Sequence, residues 1–279
     1  MNRTIESLVV MAHATSEPGW WEEYGDAMQP KEYVPWMYGR LAEAVVKAWK
    51  SRAKGSVAWG LGHAVAGHNR RVVYSDATAK MHGPTNDPTF RGIEGYEDHG
   101  VDLLFTRTPE GELTGVIVNL ACPSQEVEGE LYVSSDFWHE TRQELRKRLG
   151  EGVFVLPQCS AAGDQSPHLL VHKRAEAMML QRRGLTAREE IARRLGNAVA
   201  DALEVSRESF CSDPVLRHTV ATIGLPVRTV TAAEYQMACA ERDKWENEQP
   251  AEDDVAGVSY RFMMLNRYGR VISRYEQQE

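Results

Sequence analysis

Apolar positions along this chain alternate between short unbroken runs and longer stretches with helical spacing. Leu8-Val9-Val10-Met11-Ala12 is a short apolar run ending at His13, the form of a buried strand that leads into a loop carrying Pro18-Gly19-Trp20-Trp21. From Tyr38 to Lys50 the spacing predicts an amphipathic helix, with Leu41, Ala44, Val45, Ala48 and Trp49 on one stripe. Val57-Ala58-Trp59-Gly60 reads as a second strand. Residues 61–100 are rich in Gly, His, Asn, Asp and Pro, and predict a long irregular region of the kind that often carries function.

Regular structure resumes at Val101. The runs from Val101 to Thr106 and from Leu113 to Leu120 flank Pro109-Glu110-Gly111-Glu112 and predict a hairpin with both strands largely buried. A helix is expected from Phe137 to Leu149, closed by Gly150, and a strand from Val153 to Leu156. Thr186-Ala187-Arg188-Glu189 is a capping box ahead of Ile191, Leu195, Val199 and Leu203 at helical intervals. Beyond it the pattern predicts a strand over Thr219 to Ile223, a helix over Ala232 to Trp245, and an acidic patch at Glu252-Asp253-Asp254. Alternating strands and helices predict an α/β chain, a mixed layered domain, rather than an all-β sandwich.

Composition changes this picture little but excludes several functions. A hydrophobic content of 42% over 279 residues supports a substantial core, so the chain is expected to be globular, as one large domain or two small ones. A net charge of −8 argues against a nucleic-acid partner, since backbone binding needs a clustered positive face. The nearest approach to one, Arg146-Lys147-Arg148, is explained by a solvated helix face. No run approaches the ~20 apolar residues needed to cross a bilayer. Met1 to Ser7 lacks the apolar core of a signal peptide, so the chain as it stands is expected to be cytoplasmic. Cys122, Cys159, Cys211 and Cys239 contain no CxxC pair and are expected to be buried free thiols.

The richest candidate for chemistry is the small-residue turn Cys159-Ser160-Ala161-Ala162-Gly163-Asp164-Gln165-Ser166-Pro167-His168, which follows the apolar run ending at Leu156. Such a turn at the open edge of a sheet can present the Ser166 hydroxyl and several backbone N–H groups. Equally, Ser166 before Pro167 has the form of an N-cap followed by a first-turn proline. His168 is a tempting base by position alone, and His63, His68, His82 and His99 crowd the polar region with spacings that match no common ligand pattern. Asn69 and Arg70, with Arg71, can bind an anionic or amide group of a substrate, or pair with the chain's own carboxylates. Asp136 can orient a histidine or a metal ligand, but its place before the helix favours a cap.

Four stretches in order carry a family likeness: Met11-Ala12-His13-Ala14-Thr15-Ser16-Glu17-Pro18, His68-Asn69-Arg70-Arg71, Val118-Asn119-Leu120-Ala121-Cys122-Pro123-Ser124, and Ala162-Gly163-Asp164-Gln165-Ser166-Pro167. With them the chain resembles the neutral/alkaline, non-lysosomal ceramidase superfamily, including its many bacterial members, from about Leu8 to His168. The resemblance implies a single ceramidase-like domain over residues 1–279 with an α/β core, and hydrolysis of an amide or related acyl bond in a small lipid-like substrate. It implies Ser166 as nucleophile within a catalytic turn that includes Gly163 and Asp164, and His13 as a ligand of zinc. A zinc ion polarises an amide carbonyl or lowers the pKa of a bound water, and a loop of backbone donors stabilises an oxyanion.

The departures are equally definite. Thr15 stands where the family has a second histidine, and Pro123 where it has a further zinc histidine; proline offers no donor. The family's later glutamate and tyrosine ligands have no match before Glu279, and the family places additional strands before Leu8, so the chain is expected to be incomplete at both ends relative to the family. Two alternatives follow from the same residues: a relative that has lost the zinc centre and catalysis, or a metal-independent hydrolase using Cys159 or Cys122.

Overall fold

The hairpin of Gly100–Arg107 and Leu113–Leu120 organises the chain. In the computed structural model, which describes residues 30–130, 132–251 and 254–278, β1 (Ser56–His63), β6 (Gly100–Arg107), β7 (Leu113–Leu120) and β8 (Phe154–Cys159) form a four-stranded sheet in the order β1-β6-β7-β8. The first two pairings are antiparallel and β7–β8 is parallel. Phe105 lies opposite Val116 and Leu103 opposite Val118, so period-two alternation sends Val101, Leu103, Phe105, Val116, Val118 and Leu120 to one buried face. The hairpin is therefore buried on that face and partly open on the other, as its alternating burial shows.

The buried face is covered by α2 (Trp138–Leu149) and α4 (Ala187–Ser206), which contribute Trp138, Leu145, Ile191, Leu195 and Val199 to the same core. Helix α4 starts where the capping box predicts: Thr186 Oγ1 accepts from Glu189 N at 3.3 Å, and the Glu189 carboxylate accepts from Thr186 N at 2.7 Å. Gly150 closes α2 at φ 120°, with its N–H on Arg146 O. Asp136 is not the N-cap; buried and at φ 54°, it accepts from Phe137 N and from Val127 N, tying the preceding loop to the start of the helix.

Helix α4 approaches β1 closely at Gly62, where an added Cβ would lie 2.7 Å from Ala198 O. Backbone on both sides leaves nothing flexible to give way. Gly62→Ala is expected to destabilise the protein by about 1–3 kcal/mol, read as a lower urea midpoint with unchanged slope.

The polar stretch from 61 to 100 is more ordered than its composition predicts. It contains β2 (His68–Asn69), β3 (Arg71–Tyr74), β4 (Ala79–Met81) and β5 (Phe90–Ile93). The last three form a small sheet in the order β4-β3-β5, with Val72 and Tyr74 buried. These strands are too short to show periodicity, and turns such as Asp76 accepting from Thr78 N and Asp87 accepting from Thr89 N hold the connections. Strand β2 pairs instead with β9 (Gln165–Ser166), far along the chain.

The chain divides into two compact units. One includes Arg40–Leu216 and holds all of the elements above. The other includes Arg217–Glu279, where α5 (Ala232–Asn247) and α6 (Val255–Glu276) form a helical pair. Tyr235 stacks on Tyr275 at 4.4 Å, Trp245 meets Tyr260 edge-on at 5.3 Å, and Val230 N and O both bond to the Gln278 side chain. Asp254, part of the acidic patch, caps α6 through Gly257 N. The strand expected over Thr219 to Ile223 does not form; the segment is exposed and pairs with no strand among the described residues. Helix α1 (Pro30–Lys50) begins well before the expected Tyr38 and contains Pro35. The strand expected over Leu8 to Ala12 lies outside the described residues.

Candidate functional site

Two chain segments far apart in sequence meet in the β2–β9 pairing. His68 lies opposite Ser166, and Asn69 opposite Gln165. The next step continues the contact, because Arg70 N donates to Asp164 O at 2.8 Å. Gly67 permits the close approach that sets β2 in place: an added Cβ there would lie 2.5 Å from Ala121 O, just past the end of β7. Ser160 N donates to Leu120 O, so the turn after β8 is fixed to the same corner.

Asn69, Arg70, Gly163, Asp164 and Ser166 are thus brought together. Asn69 Nδ2 donates to Asp164 Oδ2 at 3.0 Å, while Asn69 Oδ1 accepts from Arg71 N at 2.9 Å. The Arg70 guanidinium donates to Gly163 O at 3.0 Å, and Gln165 Nε2 to Asp164 Oδ1 at 3.1 Å. These side chains brace the turn against the strand. Among the described residues, Arg70 Nε and Gln165 Oε1 are buried here without a hydrogen-bond partner. Arg71 forms an ion pair with Glu94, the carboxylate pairing that the sequence left open.

Ser166 is not an N-cap. No helix starts after it; α3 begins only at Lys173 and runs to Arg183. The serine is fully buried in β9, and its Oγ accepts from His168 N at 3.2 Å. The His168 ring turns elsewhere, with Nε2 2.7 Å from Gln125 O and the Glu126 and Glu128 carboxylates within 3.7 and 3.9 Å.

The sequence left unnoticed the residue that orders the histidines. Glu97 accepts from Asn69 N through Oε1 at 3.1 Å, and its Oε2 lies 3.3 Å from His68 Nδ1 and 3.1 Å from His99 Nε2. Burial pulls the His68 pKa below its ordinary 6.5, against the opposing pull of Glu97. The one available signal was Glu97 two residues before His99 in a polar stretch, which carries no periodicity. His63 is exposed at the end of β1, and His82 sits at φ 49° on the wall of a cavity.

That cavity, about 620 Å³, is lined by His68, Pro167 and His168 on one side and by α3 and α4 on the other. Leu169, Leu170, Leu180 and Ile191 supply apolar wall, and Lys173, Glu176 and Arg194 polar wall. The volume suits a small organic ligand with few anchoring polar groups. Arg194 stiffens the boundary by donating to Val65 O, Glu176 and the buried Glu190.

The zinc expectation finds no donor set in the described residues. His13 lies outside them, and among them no group of three or more His, Cys, Asp or Glu side chains is arranged to hold a metal. Pro123 supplies no donor, and burial pushes the neighbouring Cys122 thiol well above its ordinary range. Cys159 is exposed but its thiol is also raised by partial desolvation, so neither is held as the thiolate that nucleophilic catalysis needs. All four cysteines are free; only Cys122 is buried. Among the described residues, no helix is long and apolar enough to cross a membrane.

No protein-family model matches the chain, and no curated protein matches it. Among solved structures it is similar to a neutral ceramidase from Pseudomonas aeruginosa, with 19% identity and a TM-score of 0.40 over 57% of this chain and 24% of that one. It is also similar to a ceramidase complexed with C2, with 17% identity and a TM-score of 0.37 over 54% of this chain and 22% of that one. The chain spans about a quarter of the length of each of these ceramidases.

Proposed function

We propose that this chain is a ceramidase-like hydrolase that cleaves an amide or related acyl bond of a small lipid-like substrate, with Ser166 as nucleophile. The observation that carries the reading is the β2–β9 pairing: it joins the His68-Asn69-Arg70 and Gly163-Asp164-Gln165-Ser166 segments, two of the four stretches on which the family resemblance rests, beside a cavity of ligand size. Asp164 and Gly163 serve catalysis by holding the turn. Asn69 and Arg70 hold it from the other strand. Zinc held by His13 rests on the resemblance alone, and no step of the chemistry is routed through a metal.

Release of amine from a fluorogenic N-acyl amide panel of graded acyl length tests the reading, with acyl esters as easier substrates. Turnover of at least one member by the full chain is expected. Absence of turnover across both series contradicts it. One observation favours a second reading, a scaffold without catalysis: Ser166 is completely buried and its Oγ is already engaged by His168 N.

A further inference from the structure

The geometry points to His68 as the catalytic base for Ser166, with Glu97 as the residue that positions the base. The inference rests on Ser166 being the nucleophile and names the rest of its machinery. Directly opposed residues of an antiparallel pair share a face of the sheet, with Cβ atoms about 4.5–5.5 Å apart. His68 and Ser166 are such a pair, so the strand register sends both side chains out of the same face of the sheet.

The carboxylate side of the arrangement is also in place. Glu97 Oε2 stands 3.3 Å from His68 Nδ1, and a proton on Nδ1 donated to it leaves Nε2 as the acceptor. Glu97 is itself fixed by Asn69 N and by His99 Nε2, so it is not free to leave the ring. His68 is mostly buried yet lines the cavity. The groups that bear on its charge are Glu97, which favours the imidazolium, and His99 and Arg194, which oppose it together with burial; the ring is therefore neutral at neutral pH and able to take a proton. His168, the nearer histidine in sequence, reaches Ser166 only through its backbone N–H and directs its ring to Gln125 O.

The chemistry balances without a further reactant. As Ser166 Oγ forms a bond to the acyl carbon, its proton passes to His68 Nε2. The imidazolium returns that proton to the departing amine nitrogen as the C–N bond breaks, leaving an acyl ester on Ser166. Water then attacks the ester, giving its proton to His68 and receiving the acyl group, and the proton returns to Ser166 Oγ.

A fluorophosphonate probe, which phosphonylates an activated serine oxygen as its P–F bond breaks and fluoride leaves, tests this on the full chain. The labelled peptide is mapped and the labelling rate followed from about pH 5 to about pH 8, the range over which a histidine titrates. The parent is expected to label at Ser166 with a rate that rises to a plateau through a midpoint below 6.5. His68→Ala is expected to lower the rate by ~10²–10⁴-fold and to remove that limb, with partial rescue by added imidazole. Glu97→Gln removes the group that favours the imidazolium, so its midpoint moves to lower pH and its rate falls about 10-fold. Should His68→Ala fail to fold by circular dichroism, the Glu97→Gln midpoint decides. Labelling of Ser166 at the parent's rate in both folded variants overturns the base assignment and leaves the nucleophile standing. A parent that does not label at Ser166 overturns the nucleophile and this inference with it.

Discussion

Ser166→Ala is expected to lower kcat/KM for acyl-bond hydrolysis by at least ~10³-fold while leaving the fold in place, because under the proposed mechanism it deletes the atom that would form the covalent bond and nothing larger. The structural cost is limited to the hydrogen bond that Ser166 Oγ accepts from His168 N, about 1 kcal/mol. Paired assays of kcat/KM and thermal midpoint separate the two effects. A variant that loses activity only in proportion to lost stability would mean that Ser166 is a packing residue, as its complete burial also allows.

The second large effect is structural. Glu190 is buried on α4 and is held by Arg193 at 2.8 Å through both Nε and Nη2, by Arg183 at 2.5 Å and by Arg194 at 2.9 Å. The Arg193 contact first, then Arg183 and Arg194, bring its pKa from 4.5 to about 2 despite the opposing effect of burial. The arginines are partly open to water, which screens the pairs, so Glu190→Gln is expected to cost about 2 kcal/mol at neutral pH rather than the 3–5 kcal/mol of breaking a fully buried pair. The sign follows from the depressed pKa. The contribution is complete above 4.5, where the unfolded carboxyl is ionised, and is lost as pH falls from there towards about 2. Urea midpoints of parent and variant should therefore differ at neutral pH and converge on acidification. A difference that stays constant down to about pH 3, well inside that window, would contradict the assignment.

Glu190 and Arg194 of the same cluster line the cavity. Arg194 links Glu190 to Val65 O, three residues before His68, and to Glu176 on α3. Loss of Glu190 is thus expected to loosen one wall of the cavity as well as the fold.

Elements with long periodic faces were legible in the sequence. The Thr186 capping box announced α4 and the core positions Ile191, Leu195 and Val199, because helix start and apolar stripe are local signals. The hairpin was equally clear, since eight-residue strands show their alternation. Strands β2 and β9 were not, because two residues cannot show a period and their pairing is long-range. Helix α6 was not legible although Asp254 caps it, because the acidic run Glu252-Asp253-Asp254 ahead of it reads as a charged patch and obscures the cap.

The candidate site divides along the same line. The turn containing Gly163, Asp164 and Ser166 stood out by its small residues, and Asn69 and Arg70 by their resemblance to a family motif. Their mutual hydrogen bonds depend on register that no local pattern encodes. Glu97 was invisible for the same reason: its partners His68, Asn69 and His99 meet it only through the fold. The N-cap alternative for Ser166 failed because Pro167 leads into an irregular segment rather than a helix.

The central claim is that acyl transfer passes through Ser166. Acid quench of the full chain during turnover of an acyl ester, followed by intact-mass and peptide analysis, tests it most directly. The account predicts an increment equal to the acyl group on the peptide that contains Ser166, absent in Ser166→Ala. Turnover with no acylated peptide, or with the acyl group on another residue, would contradict it.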